Sequence, residues 1–422
     1  MRAIVVLFPV FAITLGNATV QSTVSLFGRS TGLSEFQVGL FFASSAVLFF
    51  LTSSVWGGLA DRWGRRPVIL TGLAGGGASF VLVAAIYAFG PGSMSASLIF
   101  VTLLFARIIY GLLSGGVQPA AIAHIADTAV ERQHSTAAAL VGAALGLASI
   151  VGPLFAAVLI GFGFATPIGG ACTLMLIAGF MARAIPTRTR ATGSKAVLFA
   201  LPGRAVMPYL VLTFAIVLGL SALQPTMAFF VQDRLAIGTT LAIQYASFVS
   251  AAFATCSFVV QALVVPALTM SPHRLLMIGV AACCCGLGLC LAATDLPALV
   301  IGFGALGAGF GFMQPGLLAG AMLATGTARQ GQVAGHMQSV MSAAWVVGPL
   351  VGTAAYSLSI EGPLFLGAVA LVAGTLGYSV LMATVSRSGG SNTARPAGWS
   401  TAPPASPSSA ATAPVPACSR WS

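Results

Sequence analysis

The chain has 422 residues, 58% of them hydrophobic and only 6% charged, with a formal net charge of +11. Soluble chains carry about 25% charged residues, and no soluble domain of this size could hide so much apolar surface, so the bilayer is the solvent. The basic excess does not point to nucleic acid, because the Lys and Arg residues lie in short gaps between apolar runs rather than on one amphipathic face or in one dense block.

Apolar runs of about 20 residues, the length that crosses a bilayer, follow one another from the N-terminus. Met1 and Arg2 lead straight into the first, which continues toward Ser25 and reads as a retained span, not a leader peptide. Six runs fall near 4–26, 38–60, 67–89, 96–122, 136–161 and 166–186. Six more fall near 207–231, 241–268, 274–293, 297–323, 332–357 and 362–385. Between the sets, residues 187–206 hold Arg188, Arg190, Lys195 and Arg204 and form the longest polar connection. The tail, 386–422, is rich in Ser, Ala, Pro and Thr, lacks apolar periodicity and is expected to be disordered. The expected organisation is all-α: an N-terminal six-helix bundle (1–186), a cytoplasmic linker (187–206), a C-terminal six-helix bundle (207–385) and a cytoplasmic tail.

The two halves repeat. Gln118 and Pro119 in run four match Gln314 and Pro315 in run ten, and Gly152 and Pro153 in run five match Gly348 and Pro349 in run eleven, both at an offset of 196 residues. Gly111 and Gly115 match Gly307 and Gly311 at the same offset. A shared offset across two neighbouring helices indicates two bundles related by a parallel repeat. With the N-terminus in the cytoplasm, fifteen of the 18 Lys and Arg residues fall in cytoplasmic segments, and only Arg29 and Arg234 fall in outer loops. The positive-inside rule then places both termini in the cytoplasm.

The seven Cys show no paired metal-ligand spacing; Cys283, Cys284 and Cys285 lie in an apolar run without His or carboxylate beside them and read as core filling. Gly302, Gly304 and Gly307 spell a dinucleotide fingerprint, but no strand precedes it and no acid follows some twenty residues on, so it reads as helix packing. No nucleophile, base or metal cluster suggests an enzyme, and no cofactor is expected.

Between runs two and three lies Gly57-Gly58-Leu59-Ala60-Asp61-Arg62-Trp63-Gly64-Arg65-Arg66-Pro67. Topogenic charge explains the bases but neither Asp61 nor the glycines. This segment resembles the signature loop of the major facilitator superfamily at every defining position, and the twelve-run layout extends the resemblance over about 1–385. The equivalent loop of the second half, Thr269 to Arg274, has lost the pattern. Arg107, followed by Tyr110 and Gly111, resembles the family's second motif, with tyrosine where glutamine is common. Ala148 to Ala157, around Gly152 and Pro153, resembles the motif of drug/proton antiporters, with alanines for several glycines. The resemblance implies a twelve-helix transporter of the major facilitator fold in which runs one, four, seven and ten line a central cavity. It also implies a cytoplasmic charge cluster of Asp61, Arg62, Arg65 and Asp127, with the loop acid facing the start of run eleven near Gln332 to His336.

Polar residues inside the spans form stripes that agree with this layout. Thr14, Asn17, Gln21 and Ser25 in run one fall at i, i+3, i+7 and i+11, and Arg107, Tyr110, Ser114 and Gln118 in run four repeat that spacing, which puts each set on one helical face. Run seven adds Ser221, Gln224 and Gln232, and run ten adds Gln314. Arg107 is the one clear intramembrane Lys or Arg, a position that costs at least about 2.5 kcal/mol and marks function by default. Asp61, Asp127 and Glu131 sit near the cytoplasmic face, and Glu35, Asp233, Asp295 and Glu361 near the outer face. No acid lies in mid-span, so the cavity suits a neutral, zwitterionic or anionic solute, with Arg107 facing it.

The expected function is proton-coupled efflux of a small organic molecule, a drug or a secreted metabolite such as a siderophore, by a monomer in a bacterial inner membrane. Import of a small nutrient on the same fold, or a membrane sensor that no longer transports, are the alternatives.

Overall fold

The computed structural model describes residues 4–128, 134–186, 203–268, 270–325 and 330–389, without the side chains of 54, 126–128, 134–138, 330–331 and 386–389. Most of the linker expected at 187–206, the tail beyond 389 and the side chain of Asp127 therefore lie outside the described residues. Twelve helices among them are long and apolar enough to cross a membrane. They are α1 (Ile4–Ser30), α2 (Glu35–Ser53, its helix continuing to Trp63), α3 (Arg65–Phe89), α4 (Ala96–Ile125), α5 (Ala139–Phe162) and α6 (Ala165–Ala182). The second set is α7 (Met207–Leu235), α8 (Thr239–Ala267), α9 (Pro272–Ala292), α10 (Leu296–Leu323), α11 (Gln332–Leu358) and α12 (Gly362–Val385).

Helix starts follow capping chemistry. Ser34 and Gln37 form a reciprocal capping box at α2, and Ser95 and Asp295 accept from the Leu98 and Ala298 amides at α4 and α10. Between α2 and α3, Gly64 turns the chain at φ 90°, where a Cβ would be strained.

The helices pack as two six-helix bundles with matching internal contacts. In the first, α1 packs on α5 and α6, and α4 on α2 and α3; in the second, α7 packs on α11 and α12, and α10 on α8 and α9. The bundles meet along two equivalent seams, α2 with α11 and α5 with α8. The repeated glycines explain the matching closeness. A Cβ at Gly152 would stand 2.9 Å from the Leu15 carbonyl oxygen of α1, and one at Gly348 would stand 2.8 Å from the Ser221 Cβ of α7. Gly111 on α4 meets the Ser45 carbonyl of α2 as Gly307 on α10 meets the Phe253 carbonyl of α8. Small residues let backbones approach where lipid supplies no hydrophobic drive for association.

Two breaks shape the spans. Helix α4 is interrupted at Gly115 and Gly116. The Gly111 and Leu112 carbonyls that this break leaves short of partners accept instead from Thr52 Oγ1 at 3.1 Å and Trp56 Nε1 at 2.6 Å. Helix α8 carries a π-helical segment, Val260–Val264, just before Pro266, whose missing N–H disturbs the regular ladder.

Gly302, Gly304 and Gly307 pack against α8 and α9, so the dinucleotide-like spelling is a packing stripe. Cys283 and Cys290 are buried and Cys284 and Cys285 exposed, and the described residues hold no group of three or more potential metal ligands.

These approaches set a test. Gly307→Ala puts a methyl 2.1 Å from the Phe253 carbonyl oxygen, a backbone atom that cannot swing aside, whereas Gly288→Ala meets nothing within 4 Å. Gly307→Ala should cost about 1–3 kcal/mol and lower the melting temperature of the purified protein, with Gly288→Ala melting at or slightly above the wild type.

Candidate transport site

Between the bundles lies a cavity of about 690 Å³, within the roughly 300–1,000 Å³ that organic ligands occupy. Its polar lining is amide and hydroxyl: Gln21 and Ser22 from α1, Ser149 from α5, Gln224 from α7, Ser250, Ser257 and Gln261 from α8, and Gln314 from α10. Phe253, Phe310, Met227, Met341 and Trp345 supply much of the rest, and none of the lining residues is charged. Gln224 Nε2 donates to Gln21 Oε1 at 2.7 Å across the bundles, which leaves Gln224 Oε1 buried without a partner.

Of the expected cavity residues, Gln21, Gln224 and Gln314 line this space; Asn17, Arg107, Tyr110, Ser114 and Gln118 do not. Helix α4 turns its polar stripe into the first bundle instead. Arg107 is 2% exposed. Its Nη1 donates to Asn17 Oδ1 at 3.0 Å and its Nη2 to Ser45 Oγ at 2.7 Å, while the guanidinium lies 4.9 Å from the Phe41 ring and 4.8 Å from the Tyr110 ring. Asn17 and Ser45 supply acceptors for the two Nη groups and Phe41 and Tyr110 supply π-faces, while Nε is buried without a partner. Ser114 Oγ donates to the Gly72 carbonyl of α3. Arg107 thus ties α1, α2 and α4 together, and no guanidinium is offered to an anionic solute in this conformation. Gln261, on the π-helical segment, and Trp345 line the cavity although the stripe pattern did not single them out.

The loop between α2 and α3 brings two of its expected partners together: Arg65 Nη1 donates to Asp61 Oδ1 at 2.5 Å across the turn at Gly64. Arg65 is buried and Arg62 exposed. A Cβ at Gly57, Gly58 or Gly335 would meet nothing within 4 Å.

At the opposite end the bundles are joined. Arg29 Nη1 donates to Asp233 Oδ1 at 2.8 Å and to Gln232 Oε1 at 3.1 Å, and Nη2 to Glu35 Oε1 at 3.0 Å. The guanidinium lies 4.4 Å from the centre of the Phe229 ring, and Tyr356 donates to Asp233 Oδ2 at 2.5 Å. Ser25 Oγ donates to the Pro225 carbonyl at 2.8 Å, and Gln244 Nε2 to the Ala157 carbonyl at 3.2 Å. The cavity thus lies beneath a seal at the Arg29 end. In the sequence Arg29 is distinguished only as one of the two basic residues in outer loops.

The sequence profile of the Major Facilitator Superfamily matches residues 6–284. Multidrug resistance protein 2 of Bacillus subtilis (strain 168) is 29% identical over 175 residues, 42% of this chain and 41% of that protein. Quinolone resistance protein NorA of Staphylococcus aureus (strain MSSA476) is 24% identical over 237 residues, 54% of this chain and 58% of that protein. The matched part thus spans less than two thirds of either relative. Among solved structures, the nucleoside transporter NupG superposes with a TM-score of 0.71 at 11% identity, covering 91% of this chain and 99% of that one. The human organic anion transporter MFSD10 gives 0.61 at 19% identity, covering 90% and 98%. Both show the same fold.

Arg107→Lys should separate bracing from ligand binding. Lysine cannot reach Asn17 and Ser45 with a planar fork, and a hydrogen bond to a charged group contributes about 1.5–3 kcal/mol. The variant should melt lower by that order while the folded fraction keeps wild-type solute affinity; a titration showing weakened binding with an unchanged melting temperature would put Arg107 back in the solute path.

Proposed function

The chain belongs to the Major Facilitator Superfamily, and we propose that it exports an uncharged, largely apolar organic molecule across a bacterial inner membrane in exchange for protons. The observation that carries the reading is the uncharged lining, four glutamines and several hydroxyls on aromatic and methionine walls. A cation would find no carboxylate there and an anion no guanidinium, whereas an uncharged polar group finds amides and hydroxyls. Of the neutral, zwitterionic and anionic solutes that the sequence admits, the uncharged lining favours the neutral one.

Export is favoured by two relatives named for multidrug and quinolone resistance. The charge asymmetry puts the Asp61 end and both termini in the cytoplasm, so the seal at Arg29 is the outer gate and the cavity is offered to the inside, where an exporter loads. Alternating access then requires the outer contacts to part while the cytoplasmic ends of α2 and α11 close. One chain holds both bundles and the whole cavity, so a monomer suffices. Asp61 and Arg65, with Asp127, would govern closure at the cytoplasmic end.

Three measurements test this. A reporter active only outside the cytoplasm, fused after Ser386, should stay silent. Everted vesicles with an imposed proton gradient should accumulate neutral amphipathic dyes or drugs, and intact cells should exclude them until a protonophore is added; the reverse pattern makes the protein an importer. Gln224→Leu should weaken binding of a neutral N–H-bearing solute about three- to tenfold, the effect of one net hydrogen bond, and unchanged binding would remove Gln224 from the site.

A further inference from the structure

Three cross-bundle contacts run in a line from the cavity to the Arg29 end. Gln21, Ser25 and Arg29 fall at i, i+4 and i+8, on one face of α1. Each reaches α7 of the other bundle. Gln21 Oε1 accepts from Gln224 Nε2 at 2.7 Å, Ser25 Oγ donates to the Pro225 carbonyl at 2.8 Å, and Arg29 Nη1 donates to Asp233 Oδ1 at 2.8 Å. Their surroundings differ. Arg29 and Asp233 are partly exposed at their end, Ser25 is buried, and Gln21 and Gln224 both line the cavity. The amide pair is therefore the member of this line that a solute in the cavity can reach. It is also incomplete: Gln224 Oε1 is buried without a partner, so the paired state satisfies only part of that amide. Gln314, the lining amide of α10, makes no cross-bundle bond; its Nε2 lies 3.9 Å from Met341 Sδ, within the second bundle.

We propose that the Gln21–Gln224 pair selects a solute carrying a donor beside an acceptor, as a carboxamide, lactam or urea does, and that it gives way to that group and so loosens the Arg29 end. This rests on the reading of the cavity as the site of an uncharged solute. Parting the pair frees one acceptor, Gln21 Oε1, and one donor, Gln224 Nε2. A ketone, ester or ether answers only the donor and leaves Gln21 Oε1 unpaired. An amide edge answers both, so one bond between the bundles is exchanged for two bonds to the solute. Only hydrogen bonds are made and broken. The two glutamines then hold the solute rather than each other, and the line to the Arg29 end has lost its innermost member. Tighter binding to the state in which the pair is parted is what lets a ligand shift a two-state equilibrium. Phe253, Phe310 and Trp345 on the cavity wall suit an aromatic ring attached to such an amide.

Two probes separate this recognition from mere occupancy: benzamide, an aromatic ring with a primary amide, and N,N-dimethylbenzamide, which keeps the ring and carbonyl but has no N–H. Spin labels at Ser93→Cys and Ser359→Cys, exposed positions in the loops after α3 and α11 of the two bundles, would be placed in full-length protein whose native cysteines are replaced by alanine. Pulsed dipolar distances in nanodiscs then read the separation of the bundles at the Arg29 end. Without any probe, Gln21→Leu and Gln224→Leu should each enrich the long-distance population about two- to tenfold, as for loss of one net hydrogen bond. The double variant should go no further than either single one, and Gln314→Leu should keep wild-type distances. Millimolar benzamide should enrich the long population of the wild type, N,N-dimethylbenzamide should not, and neither should act on Gln224→Leu. Wild-type distances in Gln224→Leu would remove the pair from the closure. No response to benzamide, an equal response to both probes, or an equal response in Gln224→Leu would overturn the recognition. Since the distances need neither flux nor a proton gradient, their failure leaves the export reading standing, and failed export assays leave the pair's role in closure standing.

Discussion

Hydrocarbon forms no hydrogen bonds, and almost every polar group in the spans is arranged around that fact. Hydroxyls fold back on the preceding turn, as Thr23 and Thr213 do, or bond across a helix contact, as Ser221 does to the Ala344 carbonyl of α11. The break in α4 is possible only because Thr52 and Trp56 take the carbonyls it strands. Arg107 obeys the same constraint at the greatest expense, using one amide, one hydroxyl and two ring faces from three helices. Polar residues in this protein are therefore helix joints first, and among the described residues the buried atoms left without a partner are Ser79 Oγ, Ser247 Oγ, Arg107 Nε and Gln224 Oε1.

The parts of this architecture that depend on local pattern were legible in the sequence. Span length and charge placement gave twelve helices, and the offset of 196 residues gave the pairing of Gly111 with Gly307 and Gly152 with Gly348, which the structure repeats as equivalent close approaches. Asp61 and Arg65 were legible as a pair through the resemblance of their loop to the family's signature motif. The direction in which α4 points its stripe was misread. Periodicity identifies a face and not the neighbour it meets. A signal was available, since Arg107, Gly111 and Gly115 are spaced by four and share that face, and a glycine stripe marks a surface pressed against another helix. The contacts at the Arg29 end were hidden for a different reason: Arg29 and Asp233 are 204 residues apart, and nothing local links them.

The cavity is shared unequally by the two bundles. Helix α1 and helix α5 are the first bundle's contribution to the lining, while α7 to α12 all reach it. The first bundle instead concentrates its charge on internal ties, Arg107 near its middle and Asp61 with Arg65 at its edge. The adaptable surface, rich in methionine and phenylalanine with Gln261 on a π-helical segment, belongs to its partner.

Unequal bundles still meet along equivalent seams, and this constrains how they can move. At α2 and α11, a Cβ on Gly39 would stand 2.7 Å from the Pro349 carbonyl oxygen; at α5 and α8, one on Gly146 would stand 2.4 Å from the Phe258 ring. Such contacts tolerate rolling better than separation, because parting them would expose backbone or ring surface packed at the seam. Motion about the seams spreads one end of the cavity as it narrows the other, so the contacts that decide the resting state are those at the two ends. At the Arg29 end these are an ion pair, two side-chain-to-carbonyl bonds and an amide pair, each of the order of 1 kcal/mol. Those contacts sum to a few kcal/mol, within the range that differential binding of one ligand can offset.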